Sequence, residues 1–342
     1  MPRDKIIVTG GAGYIGSHTV VCLLEQGFDV VIVDNLINSS IPSLDGISAI
    51  AKRPFAFFQV DICDKPALLH CFDIHKNAKA VIHFAALKSV GDSVANPLAY
   101  YQNNISGFIN VLDAMHEFSI PNLIFSSSAT VYGEPDELPV LESHPLKPSL
   151  SPYGASKRIG EDMIRDMAIA KPGFSSIILR YFNPVGAHES ALIGEIPVGV
   201  PSNLMPFITQ TACGIRDELK VFGNDYNTPD GTCIRDYIHV IDLAESHIVA
   251  LERVLEGKAA GNVETFNVGT GLGYSVLEVI QSFERTSGLK LSYSIADRRP
   301  GDASVVYAST KLANETLGWK AKKTLDDMTR SAWNWEKQYR GM

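Results

Sequence analysis

Hydrophobic residues along the first half of this chain follow two alternating rhythms. Short runs dominated by Val, Ile and Phe lie at 5–9, 29–34, 55–60, 80–84, 122–127 and 176–181, and runs of this kind predict strands buried on both faces. Between them, apolar positions recur three and four residues apart at 15–26, 103–118 and 153–170, the spacing of amphipathic helices. Alternating strand and helix build βαβ units, whose crossovers make the strands parallel and cover the sheet with helices. The expected fold class is α/β, a doubly wound parallel sheet followed by a smaller C-terminal α/β lobe. In such a sheet ligands gather beyond the carboxyl ends of the strands, here Asp34, Asp61, Phe84, Ser127 and Tyr181.

The texture changes after Pro184, where Gly and Pro crowd the loop-rich stretch 186–206. We expect one domain over 1–184 and a second over 185–342. A returning segment near 236–270 is expected to rejoin the first, because 242–255 reads as an amphipathic helix and 264–268 as a short strand. The helices at 103–118 and 153–170 carry apolar stripes, including Ile109 and Ile159, that are wider than one sheet face requires. Either a deeper core or a symmetric partner takes up the excess, and a homodimer is the expectation.

Composition narrows the field. A chain of 342 residues with 45% hydrophobic content has enough apolar mass for a large domain and a smaller lobe. A net charge of −8 argues against a broad surface for nucleic acid or anionic membrane. The five cysteines are scattered and never form CxxC, which argues against a disulfide framework and favours the cytoplasm. His70, Cys71 and His75 lack a metal-ligand spacing, so no metal is expected. No apolar run approaches the ~20 residues that span a bilayer, and the first strand begins too early to leave room for a signal peptide.

The candidate chemistry begins with GGAGYIG at 10–16, which follows the first strand and opens the first helix. Gly10, Gly13 and Gly16 permit a tight turn and close backbone approach, so the helix N-terminus can receive a pyrophosphate. This is a Rossmann-type cradle. Asp34, ending the second strand, is placed to accept hydrogen bonds from both adenosine ribose hydroxyls and to repel a 2′-phosphate, which predicts NAD over NADP. Asp61 reads as a contact to the adenine amino group, with the Ile62 backbone beside it, or as a helix N-cap. After the fourth strand, Phe84 and the small Ala85 suit close cofactor approach, and Lys88 can reach a phosphate of cofactor or substrate.

YGASK at 153–157 places Tyr153 and Lys157 one helical turn apart on one face. Tyrosine becomes a base only when its pKa falls from about 10 toward neutrality, a change of roughly 4 kcal/mol for three units. A lysine ammonium and an oxidised nicotinamide can supply that shift. SSSATVYG at 126–133 ends a strand. There Ser128 is expected to share a hydrogen bond with the reacting alcohol, Thr130 to assist, and Ser127 to bond the backbone. The expectation is hydride chemistry on an alcohol, with Ser128, Tyr153 and Lys157 catalytic.

The spacing GxxGxxG together with YxxxK resembles the extended branch of the short-chain dehydrogenase/reductase superfamily. VTGGAGYIGSH, HFAALKSV, SSSATVYG, SPYGASK, RYFNPVGAH, NLMP, FGNDY, RDYIHV and RRPGD narrow it further. Over nearly its whole length the chain resembles the UDP-glucose 4-epimerase (UDP-galactose 4-epimerase) family. The resemblance implies tightly bound NAD contacted by Gly13, Tyr14, Ile15, Asp34, Asn35, Asp61, Ile62, Phe84, Lys88, Asn103, Ser126, Tyr153, Lys157 and Phe182. It implies a UDP-hexose contacted by Ser128, Tyr153, Asn183, Asn203, Leu204, Phe222, Arg235, Tyr237, Arg299 and Asp302, which makes the C-terminal lobe the substrate lobe.

The implied reaction interconverts UDP-glucose and UDP-galactose in galactose metabolism. Carbon 4 is oxidised, the 4-ketose rotates, and it is reduced again on its other face. Arg235 and Arg299 suit a diphosphate on chemical grounds as well, since guanidinium forks bind phosphate at two points. A nucleotide-sugar 4,6-dehydratase shares cradle and YxxxK but needs an acid pair where this chain has Ala129 and Thr130. Four residues past Asp302, many family members carry a bulky aromatic where this chain has Val306. Either the smaller side chain admits N-acetylated UDP-hexosamines at carbon 2, or a neighbour fills the gap.

Overall fold

The computed structural model describes residues 4–197, 199–299 and 303–342. Its first elements are β1 (Lys5–Thr9), α1 (Tyr14–Glu25), β2 (Asp29–Asp34), α2 (Ile41–Ala51), β3 (Ala56–Gln59), α3 (Lys65–Ile74), β4 (Ala80–His83), α4 (Val90–Ala95), α5 (Pro97–Tyr101), α6 (Gly107–Glu117), β5 (Asn122–Ser128), α7 (Pro152–Ala170) and β6 (Ser175–Tyr181). There follow β7 (Asn183–Val185), α8 (Leu204–Ala212), β8 (Leu219–Phe222), β9 (Ile234–Arg235), β10 (Tyr237–His239), α9 (Val240–Leu255), β11 (Val263–Val268), β12 (Tyr274–Ser275), α10 (Val276–Ser287), β13 (Tyr293–Ala296), β14 (Val305–Val306) and α11 (Leu325–Arg340).

Among the described residues seven strands form one sheet in the order β11-β6-β5-β4-β1-β2-β3. From β3 to β5 the pairing is parallel, with Ile7 opposite both Val31 and Val81, and Val81 opposite Leu123. β2 and β3 lie on one side of β1 and β4, β5 and β6 on the other, which makes the ends of β1 and β4 the switch point at which doubly wound sheets bind ligands. The α/β sheet is the one the strand runs predict.

The chain divides into two compact units: Met1–Gly133 with Leu146–Arg180 and Ala244–Phe266, and Glu134–Pro145 with Tyr181–Leu243 and Asn267–Met342. In the first unit, Ile7, Val31, Val33, Val81, Leu123 and Phe125 from one sheet face meet Phe72, Phe108, Val111, Met115 and Ile164 from α3, α6 and α7. All are 3% exposed or less, and each such side chain contributes about 1.5–3 kcal/mol through burial. The second unit closes on Met205, Ile208, Val221, Val279, Phe283, Met328 and Trp333. Its small sheets pair β8 with β13, β7 with β10, and β9 with both β12 and β14.

The helical pattern at 103–118 is not one helix. A wide π turn at Gln102–Ser106 separates α5 from α6. Such turns are rare and concentrate at functional sites, and this one delivers a buried asparagine, Asn104, toward α7. α7 starts where Ser151 accepts a hydrogen bond from Gly154 N and Pro152 takes the first helical position, so Tyr153 lies in the first turn.

Candidate active site

The glycine loop divides its tasks. Gly10 has φ +73°, and a Cβ there would lie 2.5 Å from Ala85 N, so this glycine lets the loop pack on the backbone after β4. A Cβ on Gly16 would lie 2.2 Å from Gly10 O, so Gly16 closes the turn on itself. Only Gly13 keeps its outer face open, with Gly10 O at 3.2 Å its nearest neighbour. It caps α1 without a side chain, and the first turn of α1 holds no acid. A pyrophosphate suits this position, because first-turn N–H groups attract anions.

Asp34 organises that loop. Its Oδ2 accepts from Ala12 N at 3.0 Å, and its Oδ1 from Leu36 N at 2.9 Å and Ser39 Oγ at 2.8 Å. A carboxylate offers about four acceptor sites, so these three bonds leave one for a further donor. Asp61 accepts from Asn35 Nδ2 at 2.9 Å and Cys63 N at 2.8 Å. Burial pushes its carboxyl up, but those bonds outweigh it and hold the group below its usual range. The cap of α3 is Asp64, so Asp61 is not spent on the helix. Ile62 is buried, and its carbonyl accepts from Asn110 Nδ2 at 2.9 Å.

Beyond β4, Phe84 packs on His247 with ring centroids 4.8 Å apart, and Lys88 Nζ lies 5.8 Å from the centre of the Tyr14 ring. Behind them His83 is 2% exposed, bonded to Thr9 Oγ1 at 2.7 Å and stacked on Phe108. Burial, aided by the charge of Lys157, pushes its pKa from 6.5 down to about 3. The unfolded chain therefore binds the extra proton below pH 6.5 while the folded one does not. Stability is lost as pH falls from 6.5 toward 3, by about 1.4 kcal/mol per pH unit from this group. His83→Gln should flatten the acid limb of a denaturation series by one proton, and an unchanged slope would contradict the assignment.

At the end of β5 three successive serines take different partners. Ser126 receives Lys157 Nζ at 2.6 Å on its carbonyl and 3.2 Å on its hydroxyl. Ser128 starts a short 3₁₀ turn, Ala129–Tyr132, and accepts from Thr130 N at 3.2 Å and Thr130 Oγ1 at 3.0 Å. It also lies close enough to the Tyr153 phenol to favour its ionised form. Ser127 does not bond the backbone as expected, but donates to Glu161 Oε1 at 2.6 Å. The expected lowering of Tyr153 by Lys157 is also absent from the protein alone. Burial pushes the phenol up to about 12 against the lowering influence of Ser128, and burial brings the lysine down to about 7. Lys157 Nζ is aimed at Ser126 and stands 6.0 Å from the Tyr153 ring centre.

Two residues absent from the sequence reading support this centre. Asn104 accepts from Leu87 N at 2.8 Å and Asn103 Nδ2 at 2.9 Å, and donates to Leu87 O and Ser156 Oγ, each at 3.0 Å. Every hydrogen-bonding site it needs is filled, and it ties the loop after β4 to the helix turn between Tyr153 and Lys157. Glu161, fully buried one turn beyond Lys157, meets Arg180. The only sequence signal for either was a polar residue inside an apolar helical stripe.

The remaining predicted contacts belong to the second unit. Arg235 on β9 lies in register with Val306 on β14, and Tyr237 on β10 with Asn183 on β7. Arg299 stacks over Phe222 with its guanidinium carbon 4.5 Å from the ring centre. Asn203 donates to Glu195 Oε1 at 2.8 Å and precedes Leu204, the first residue of α8. Phe182 is buried, with its N–H on Val268 O. Asp302 lies outside the described residues. The sequence reading passed over Asp236, between Arg235 and Tyr237. It is fully buried and accepts from Thr270 N and Oγ1, Gly271 N and Ala308 N. Burial pushes its carboxyl up against those bonds, and the four donors fix the strand that carries Arg235.

A profile of the GDP-mannose 4,6 dehydratase family matches residues 7–332. UDP-glucose 4-epimerases of Yersinia enterocolitica and Mus musculus are 53% and 50% identical to the chain, over 97% and 98% of it and 97% of each relative. A solved UDP-glucose 4-epimerase of Bifidobacterium longum, in complex with NAD+ and UDP, superposes with a TM-score of 0.94 at 45% identity, covering 98% of this chain and 99% of that one. One from Stenotrophomonas maltophila, with NAD and formylated UDP-arabinopyranose, gives 0.95 at 47% identity and 99% of both chains. With relatives this similar along almost its entire length, and with the tyrosine, lysine and serine assembled at the end of β5, the chain belongs to the UDP-glucose 4-epimerase family of extended short-chain dehydrogenases/reductases.

Proposed function

We propose that this chain interconverts UDP-glucose and UDP-galactose, taking a proton from the hydroxyl on sugar carbon 4 and returning one to it. The observation that carries this reading is the Ser128–Tyr153 hydroxyl pair, with Lys157 one turn along α7 in the unit that holds the glycine loop. NAD, when bound, would supply the hydride acceptor for carbon 4 and, when oxidised, a positive charge. That charge is needed. Deprotonating a phenol near 12 at neutral pH costs roughly 7 kcal/mol, whereas one cation at about 4 Å returns roughly 4 kcal/mol. One cation therefore falls short, and Lys157, 6.0 Å from the Tyr153 ring centre, returns less than that.

Ser128 already accepts from Thr130, so the proton it can share between the alcohol oxygen and the phenol is its own. Gly13 and Asp34 would hold pyrophosphate and adenosine ribose, Asp61 the adenine, and Lys157 the nicotinamide ribose. Arg235 and Arg299 would hold the diphosphate firmly, leaving the hexose able to turn. Ala129 and Thr130 offer no acid for eliminating water, which disfavours a 4,6-dehydratase.

The test is conversion of UDP-galactose by purified protein without added NAD. Product without supplement supports a retained cofactor, and no turnover even with added NAD sinks the reading. Val306 is half-buried beside Arg235, and its small side chain is expected to admit UDP-N-acetylgalactosamine in the same assay. Val306→Tyr should abolish that conversion while sparing UDP-galactose.

We further infer a homodimer in the cytoplasm. Ile109 on α6 and Ile159 on α7 are 44% and 38% exposed, an apolar pair on the two helices with the widest stripes. Ile109→Glu with Ile159→Glu should halve the mass in sedimentation, and an unchanged mass would place the interface elsewhere. The five cysteines are free, in keeping with a reducing compartment. Among the described residues no helix is long and apolar enough to cross a membrane.

A further inference from the structure

Behind the serines of β5 lies an ion pair that the proposed chemistry does not use. Glu161 on α7 is fully buried, and Arg180 on β6 is 2% exposed. They meet fork to fork, Arg180 Nε on Oε1 at 2.9 Å and Nη2 on Oε2 at 2.6 Å. Burial opposes charge on Glu161, yet the bonds and charge of Arg180 outweigh it and hold the carboxyl below its usual range. Arg165 on α7 also donates to Glu161 Oε2 at 2.9 Å, and further contacts reach the serine segment. Ser127 donates to Glu161 at 2.6 Å, and Arg180 Nη1 donates to the Tyr132 hydroxyl at 2.8 Å with its guanidinium over that ring.

Ser127 and Tyr132 bracket the turn that begins at Ser128. Glu161 stands on the same helix as Tyr153 and Lys157, two turns and one turn beyond them. The pair therefore grips both ends of the segment carrying the serine and the helix carrying the tyrosine. We propose that Glu161, held by Arg180, is a positioning residue for the acid–base centre, setting through Ser127 the placement of Tyr153 against Ser128. Stability alone is a poor reason for such a pair, since apolar residues of similar volume often serve as well or better. Directional bonds at fixed points select one placement of helix on strand, and a hydroxyl pair that shares a proton needs that placement to within a fraction of an ångström.

The inference rests on the epimerase reading, and the two fail differently. If wild type does not convert UDP-galactose, the activity falls. If wild type does, Ser127→Ala tests the positioning. It removes one donor and leaves the Glu161–Arg180 fork intact. We expect kcat to fall about tenfold with KM for UDP-galactose nearly unchanged, and the pH midpoint of kcat to move. In a Tyr153→Phe background the same substitution should cost nothing further, because both act on one step. Glu161→Leu with Arg180→Leu, apolar at both positions, should fold and still lose turnover. Wild-type kcat and pH profile in folded Ser127→Ala, or in the folded double variant, would overturn the proposal. So would an equal loss with and without Tyr153.

Discussion

Tyr153→Phe is expected to lower kcat for UDP-galactose about a thousandfold, within the roughly 10²–10⁴ that a positioned proton-transfer group contributes, while UDP binds as before. Phenylalanine keeps the ring in the first turn of α7 and removes only the oxygen that meets Ser128. Ser128 cannot replace it as the base. Its hydroxyl already accepts two bonds from Thr130, and an aliphatic alcohol is a far weaker acid than a phenol. Steady-state kinetics with calorimetric titration of UDP separate the two effects. A loss of less than tenfold in kcat would move the proton to another group, and a parallel loss of UDP affinity would mean that the substitution had disturbed the fold.

Arg180→Ala should destabilise the first unit by about 3–5 kcal/mol, the range seen when one member of a buried ion pair is removed. The remaining carboxylate would keep Ser127 and the half-exposed Arg165, which donates to Glu161 Oε2 at 2.9 Å, but lose its two-point partner. Glu161 would then gain by taking up a proton. The deficit relative to wild type should therefore shrink as pH falls through the raised pKa of the variant's Glu161, the reverse of the dependence an intact pair confers. Denaturant unfolding of the two proteins at neutral and acid pH reads both effects. A deficit under about 1 kcal/mol, or one that grows with acid, would show that the pair is better solvated than its burial indicates.

Much of the fold was legible because its signals are local. β-branched runs at 5–9 and 29–34 became β1 and β2 at those bounds, since a strand buried on both faces leaves little choice of residue. The tyrosine helix was legible from its apolar stripe, while its Ser151 cap and Pro152 start emerged only in the structure. The short strands β8, β9, β12, β13 and β14 were not, because pieces this brief carry too few residues to establish a period. The π turn at 102–106 was hidden by the continuity of apolar positions on either side of it.

At the candidate site the sequence by itself determined which groups are present and how they are spaced along a single element: glycines at a strand–helix junction, a carboxylate ending β2, and tyrosine and lysine one turn apart. Helical and strand periods settle such spacings without reference to the rest of the chain. Tertiary structure alone decided what those groups do in each other's company. It reserved Gly10 and Gly16 for backbone packing and left Gly13 open. It turned Lys157 to Ser126, raised Tyr153 rather than lowering it, and moved Ser127 from the backbone to Glu161. It brought Glu161 to Arg180, and Asp236 to Thr270 and Ala308. These outcomes depend on burial and on partners distant in sequence. A pKa and a hydrogen bond belong to an environment, and that environment exists only once the chain has packed.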